Sequence, residues 1–404
     1  MQQPEPLNTD VTDQSLPDEI NFSLVLGGPL YQLYLRSRLA LPALELVVRR
    51  AVFMSLICWL PLLLLALMEG HGFGGVSLPF SRDIGVHIRF LAALPLLVSA
   101  EYWAHQRFAP TVRQFLQRGI IAQEDRPRFM ALVASTMRLR NSVLVEVVLV
   151  LFAILVSDLV LKQTLTLGVS AWYAIGVAGN LHVTKAGYWY EFVSSSILRF
   201  IILRWYFRLG LWYFFLWRVR GLPLHLNLFH PDRAAGLGFL AGSVFAFAPV
   251  LAAQTMLLAG IIADRIWRAG ASLPSFKMEI IVVVAFLMLL VFTPLLFFTV
   301  QLDSAKRKAN REYGILASEY VENFHRKWIQ ERGAVGEPLL GTSDLQSLAD
   351  LGNAGSAVSE TRIVPFTKET VIRVAIIILF PLAPLTLTML PLEQIIDQLI
   401  KLLI

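Results

Sequence analysis

Apolar residues collect into runs of about 20 along this chain, long enough to cross a ~30 Å hydrocarbon layer as helices. Seven such runs predict spans at roughly 51–68, 87–104, 142–161, 192–217, 238–262, 279–300 and 370–390. The polar segments between them carry a periodicity of their own. In "DSAKRKANREYGILASEYVENFHRKWIQERG", Ala305, Ala309, Tyr313, Leu316, Tyr320, Phe324 and Trp328 recur at intervals of three or four. That spacing predicts one helical stripe, continuing span six out of the membrane and packing on helices of 105–141. "TSDLQSLADLGN" reads as a short helix, capped by Thr342 or Ser343 and stopped at Gly352. "PLEQIIDQLIKLLI" sets Leu392, Ile395, Ile396, Leu399 and Ile400 on one face, opposite Glu393, Asp397 and Lys401. It reads as an amphipathic helix on the membrane surface.

The predicted fold class is therefore all-α: a polytopic transmembrane bundle of about seven spans, with a helical cytoplasmic layer and a C-terminal amphipathic helix. The organisation follows: an N-terminal cytoplasmic tail with a short amphipathic segment (1–48), spans one and two (49–104), basic cytoplasmic helices (105–141), spans three to six (142–300), a cytoplasmic extension and loop (301–367), and span seven with the interfacial helix (368–404). No internal repeat is visible.

Composition supports the membrane reading. The chain is 56% hydrophobic and only 16% charged, with a mean hydropathy of +0.62, too little charge to cover a soluble domain of this size. A net charge of +6 invites a nucleic-acid reading. Its distribution explains it better. Of the 35 Lys and Arg, 23 fall in alternate segments (1–50, 105–141, 218–233 and 301–369), 7 in the segments between those, and 5 inside the spans. The positive-inside bias then places the N-terminus in the cytoplasm and, after seven spans, the C-terminus outside the cell inner membrane. The acidic start "MQQPEPLNTDVTDQSLPDEI" lacks the basic and apolar regions of a cleaved signal. Cys58 is the single cysteine, which excludes an intrachain disulfide and a cysteine-based zinc site within one chain.

Span four is the hardest to place, because "RFIILRWYFRLGLW" carries Arg199, Arg204 and Arg208. Ionisable groups at membrane depth are costly and usually pair or line a water path. Counted from residue 192, Arg199, Arg204 and Arg208 lie ~10, ~18 and ~24 Å deep. On neighbouring spans Glu146 comes out at ~22 Å, Glu101 at ~21 Å and Asp158 at ~5 Å. Arg208 is then level with two acids, while Arg204 has none at its own depth. Arg204 and Arg208 sit about 40° apart on the helix wheel, and Arg199 and Arg208 about 180° apart. The arginines share no single stripe, which argues against a voltage sensor. They either line a polar path or pair structurally with acids and with the faces of Trp205, Tyr206, Phe207, Trp212 and Tyr213. A segment lying in the interface would suit its Trp and Tyr as well.

After span four comes "GLPLHLNLFHPDRAAGLGFLAG". Asp232 is the candidate N-cap of span five, with Arg233 in its first turn. Gly238, Gly242 and Ala246 repeat a small residue every four positions, a helix-packing pattern. His225, His230 and Asp232 have metal-binding side chains, but a capped turn accounts for His230 and Asp232 more simply, so no metal is predicted. His182, Lys185 and Glu191 in "GNLHVTKAGYWYEF" read as part of an aromatic interfacial belt. No HExxH, GxSxG or GxxxxGK[ST] pattern occurs. No catalytic residue and no cofactor are predicted. Pro61, Pro95, Pro249, Pro294, Pro381 and Pro384 fall inside spans and read as kinks or hinges.

The blocks "FHPDRAAGLGFL", "EDRPRFMAL…RLRNS", "TSDLQSLADLGN" and "TMLPLEQ" resemble a group of uncharacterised bacterial multi-pass membrane proteins over roughly residues 105–395. The resemblance implies an integral inner-membrane protein and carries no activity. Three functions follow as expectations. The leading one is a channel or transporter-like protein for a small solute, with an anion as first candidate, because Arg89, Arg199, Arg204 and Arg208 share the membrane with Glu101, Glu146 and Asp158. The others are a scaffold or sensor acting through its cytoplasmic helices, and an integral membrane enzyme. The implied partners are the lipid bilayer, with room for a homo-oligomer and a cytoplasmic protein, and no nucleic acid.

Overall fold

A computed structural model of the chain describes residues 22–36, 46–167, 170–177, 180–331 and 343–389. Eleven helical elements organise these residues. They are α1 (Pro29–Arg36), α2 (Val47–Met68), α3 (Ile84–Gln117), α4 (Arg126–Arg140), α5 (Val143–Leu167), α6 (Ser196–Val219), α7 (Leu237–Ala269), α8 (Leu273–Leu296), α9 (Thr299–His325), α10 (Ser343–Glu360) and α11 (Lys368–Met389). A two-stranded antiparallel hairpin, β1 (Ala174–Val177) and β2 (Asn180–Val183), is the sheet among them.

Six of these helices, α2, α3, α5, α7, α8 and α11, are long and apolar enough to cross a membrane. Their outer faces show what solvent they meet. Val48, Val52, Leu56, Leu60 and Leu64 make an exposed stripe along α2, and Leu144, Val148, Leu151, Leu155 and Leu159 another along α5. Apolar stripes of this length would be an aggregation hazard in water. In lipid they are the outside of a bundle whose helices satisfy their own backbone. This is an all-α multi-pass membrane protein.

α6 is not among the six, because its arginines, tryptophans and tyrosines lower its apolarity. It is nonetheless 24 residues long, about 36 Å, and it lies in the core. Ser196 at its start meets Ser157 late in α5 at 2.8 Å, while Arg204 meets Glu146 in the first turn of α5. At its far end Tyr213 donates to the Leu290 carbonyl of α8 at 2.7 Å. α6 therefore runs antiparallel to α5, from one end of the bundle to the other. At 34 residues, ~51 Å, α3 outruns the bilayer. Its last turns join α4 in an aromatic cluster where Phe115 packs on Phe129, Phe215 and Phe239.

The prolines divide by context. Pro95 follows a π turn (Ile88–Ala93), and Pro249 follows a 3-10 turn (Phe245–Phe247), each in the first turn of the regular helix after it. A missing N–H costs nothing there. Pro61 and Pro294 are interior, while Pro381 and Pro384 fall in a 3-10 stretch, Phe380–Met389. The small-residue stripe is corrected. Gly238 sits in a 3-10 turn with the Asp232 side chain 2.9 Å from where a Cβ would be, and Gly242 has open space around it. Close helix approach occurs instead at Gly260, whose added Cβ would lie 3.5 Å from the Gly85 Cα.

Beyond the bundle, α9 follows α8 after a two-residue turn, as its periodicity predicts. Most of its stripe is half-buried, Ala309 is buried and Leu316 is exposed. The partner differs from the expected one: over its second half α9 packs on α10. There Tyr320 donates to the Asp344 carbonyl at 2.9 Å, and Lys327 and Trp328 reach the Asp344 carboxylate at 2.7 and 3.1 Å. α10 also runs through Gly352 and Gly355 to Glu360, because each interior glycine costs only about 1 kcal/mol. The Thr342 cap and the amphipathic helix at 391–404 lie outside the described residues.

Candidate functional site

Two polar sites lie along α6, one near its middle and one at its start. The first is a knot of buried charge near the start of α2 and α5. Arg204 and Arg208, one turn apart, converge on Glu101 of α3. Arg208 Nη2 lies 2.7 Å and Arg204 Nη1 3.1 Å from Glu101 Oε1. Arg204 Nε also lies 3.2 Å from Glu146 Oε1. Glu101 Oε2 takes a third guanidinium, that of Arg50, at 3.2 Å. The chain before α1 closes the knot from the side. Phe22, Leu24 and Val25 are buried, Gly27 offers its carbonyl to Arg204 at 3.3 Å, and the Leu30 amide donates to Glu146 Oε2 at 2.9 Å. Gly28 has φ +84°, and a Cβ there would come within 2.5 Å of Glu146 Oε1.

This overturns one expectation: Arg204 does have acidic partners, two of them. Counting rise along straight helices placed its Cα between acids. A guanidinium reaches several ångströms beyond its Cα, and Glu146 stands in the first turn of a helix adjoining α6. Arg208 pairs with Glu101 as expected, and its guanidinium also stacks 4.7 Å from the Trp205 ring. Asp158 belongs to neither site. It pairs with Lys162 one turn away, at 2.6 Å, on an exposed surface. Arg50, assigned by sequence to the cytoplasmic tail, is fully buried.

The second site is a partly open cavity of about 390 Å³ at the start of α6. Its charged lining is Asp83, Arg89, Glu191, Arg199, Asp264 and Arg268, with Tyr173 and Tyr190 beside them. Arg199 Nη2 pairs with Glu191 Oε1 at 2.6 Å, and its Nη1 donates to Ser157 Oγ at 2.5 Å. Arg89 donates to the Tyr190 hydroxyl. Asp83 caps the start of α3 through the Val86 amide, 3.0 Å, and accepts from Trp172 Nε1 at 2.9 Å. Asp264 Oδ2 accepts from the Gly85 amide at 3.1 Å, while its Oδ1 is buried with no hydrogen-bond partner. Burial, followed by the charge of Asp83, holds the Tyr173 phenol above its ordinary pKa.

Loops outside the spans hold this wall in place. Leu78 accepts from the Trp172 amide at 2.9 Å. Thr184 caps the helix Lys185–Trp189 through the Gly187 amide, and Glu69 adds its carboxylate to the Lys185 and Ala186 amides at 2.8 and 3.3 Å. A carboxylate at a helix N-terminus meets orphan N–H groups and the positive end of the dipole. Between that helix and α6 lies a π turn, Tyr190–Ser195, which winds in about one extra residue. It brings Glu191 onto the face of Arg199, eight residues on. On a regular helix the two would sit ~80° apart, so sequence spacing hides the pair.

Asp232 is a turn-builder, and the residues around it form a hub away from both sites. Its carboxylate accepts from the Ala234, Gly236 and Gly238 amides at 2.8, 3.1 and 2.9 Å. Burial opposes its charge, yet these three donors and nearby His230 hold the carboxyl below the usual range. Arg118 adds a contact at 3.5 Å. Arg362 donates to the Asp232 carbonyl at 2.7 Å, and Arg233 pairs with Glu360 at 3.1 Å. Asp232 thus ties α3, α7 and the end of α10 together. Among the described residues no group of three His, Cys, Asp or Glu could hold a metal.

Comparison with protein-family models, with curated proteins and with solved structures gives no match to this chain.

Proposed function

We propose that this chain is a membrane transport protein for a small polar solute, with the cavity as its binding site. One observation carries the reading: three guanidinium groups and three carboxylates line a single cavity within ~10 Å of the helix ends. Ionisable residues in membrane helices pair or line water-filled space, and these six gather around one cavity. The volume also falls in the ~300–1,000 Å³ range of small-molecule sites. In this reading α6 is a seventh crossing. The knot is the fixed point that holds α2, α3, α5 and α6 together, and the excess of basic residues puts the knot on the cytoplasmic side and the cavity outside.

Uptake of labelled small solutes by proteoliposomes tests it. Ile202, partly exposed at the cavity wall, is the place to fill the space. Ile202→Trp is expected to cut uptake at least tenfold, and Asp158→Asn, on the exposed surface, to leave it unchanged. Equal uptake by the wild type and Ile202→Trp would refute the cavity as the binding site.

A further inference from the structure

We propose that the cavity takes a zwitterion, a molecule carrying an ammonium and a carboxylate a few ångströms apart, as an α-amino acid does. This rests on reading the cavity as the solute site and names its substrate class. The lining is balanced, with Asp83, Glu191 and Asp264 against Arg89, Arg199 and Arg268. A lone anion entering would face three carboxylates, and a lone cation three guanidinium groups. A dipolar ligand meets both signs favourably.

The bonding within the wall shows where each end goes. Four of the six charged groups are already engaged. Arg199 holds Glu191, Arg89 holds the Tyr190 hydroxyl, and both Asp83 oxygens accept protein N–H groups. What remains is Arg268, which is exposed, and one oxygen of Asp264, whose other oxygen the Gly85 amide holds. Asp264 Oδ1 is buried and unbonded, a rare state for a carboxylate oxygen and one that asks for a donor. Arg268 makes no ion pair within 4 Å among the described residues. The two stand four residues apart on α7, neighbours on one helix face with Cβ atoms ~6 Å apart. A ligand ammonium held at the Asp264 carboxylate sets its own carboxylate toward the neighbouring Arg268, whose planar fork suits two parallel hydrogen bonds. Leu198 and Ile202 supply an apolar wall for the rest of the molecule.

Equilibrium binding to the full detergent-solubilised chain at pH 7 decides the matter. The probes are a panel of neutral α-amino acids, each with its matched carboxylic acid and matched amine. The expected result is saturable binding by at least one amino acid, at least tenfold weaker binding by its acid and its amine, and at least tenfold loss in both Asp264→Asn and Arg268→Gln. An acid or an amine binding as well as its amino acid overturns the zwitterion while leaving the cavity a binding site. Undiminished amino-acid binding in both variants also overturns the assignment. Absence of binding by every probe overturns the inference, and together with unchanged uptake in Ile202→Trp it overturns the site as well.

Discussion

Glu101→Gln is expected to cost about 3–5 kcal/mol, the usual penalty for removing one partner from a buried ion pair. One carboxylate there answers three guanidiniums, of Arg50, Arg204 and Arg208, carried on α2 and α6. Its own side chain is only 8% exposed, so water cannot take over its role. The amide keeps the shape and loses the charge, leaving three cations close together in a low-dielectric interior. The readout is thermal unfolding of the purified protein, with the fraction that stays monodisperse in detergent. Asp158→Asn is the control, since an exposed pair contributes about 0–1 kcal/mol. Similar melting of the two variants would mean that the knot does not hold the bundle together.

Gly187→Ala is expected to destabilise by about 1–3 kcal/mol or more, as overpacking does, and to abolish the function of the cavity. A Cβ at this position would sit 2.0 Å from the Tyr173 carbonyl oxygen and 2.9 Å from Val183 Cγ1. The carbonyl is backbone and cannot swing aside, so the hairpin that carries Tyr173 must move. Gly187 itself lines the cavity. The emission of buried Trp172, whose indole N–H is held by Asp83, should shift with the wall, and proteoliposome uptake should fall with it. Gly242→Ala, with open space around the new methyl, should change neither. Wild-type emission and uptake in Gly187→Ala would show that the close approach of these two segments is dispensable.

The sequence makes the bundle readable because bilayer crossing imposes a long apolar run on each span. Six of the seven predicted spans stand out as apolar helices, and the α9 stripe follows from periodicity. The wheel angle between Arg204 and Arg208 also anticipates that both can meet one partner. What stays hidden depends on departures from regular geometry or on distant segments. The Glu191–Arg199 pair needs a π turn that no spacing rule reveals. Burial of Phe22, Leu24 and Val25 depends on a cleft formed by helices far along the chain, so "FSLVLGGPL" alone reads as a tail. Both acids on Arg204 need side-chain reach, which a count of helical rise omits. Nothing in the sequence joins Asp83 to Asp264. Only the meeting of α3 with α7 at Gly85 and Gly260 makes them neighbours.

The most direct test of the account is aqueous access along α6. Cys58 is fully buried, so Cys58→Ala gives a clean background for single cysteines. Ile202→Cys reports on the cavity, and Leu97→Cys, one turn from Glu101 and fully buried, reports on the knot. A membrane-impermeant thiol reagent applied to the outer face of intact membranes should label Ile202→Cys and leave Leu97→Cys untouched until the protein is denatured. Labelling of both at similar rates, or of Leu97→Cys alone, would contradict an open cavity above a sealed knot.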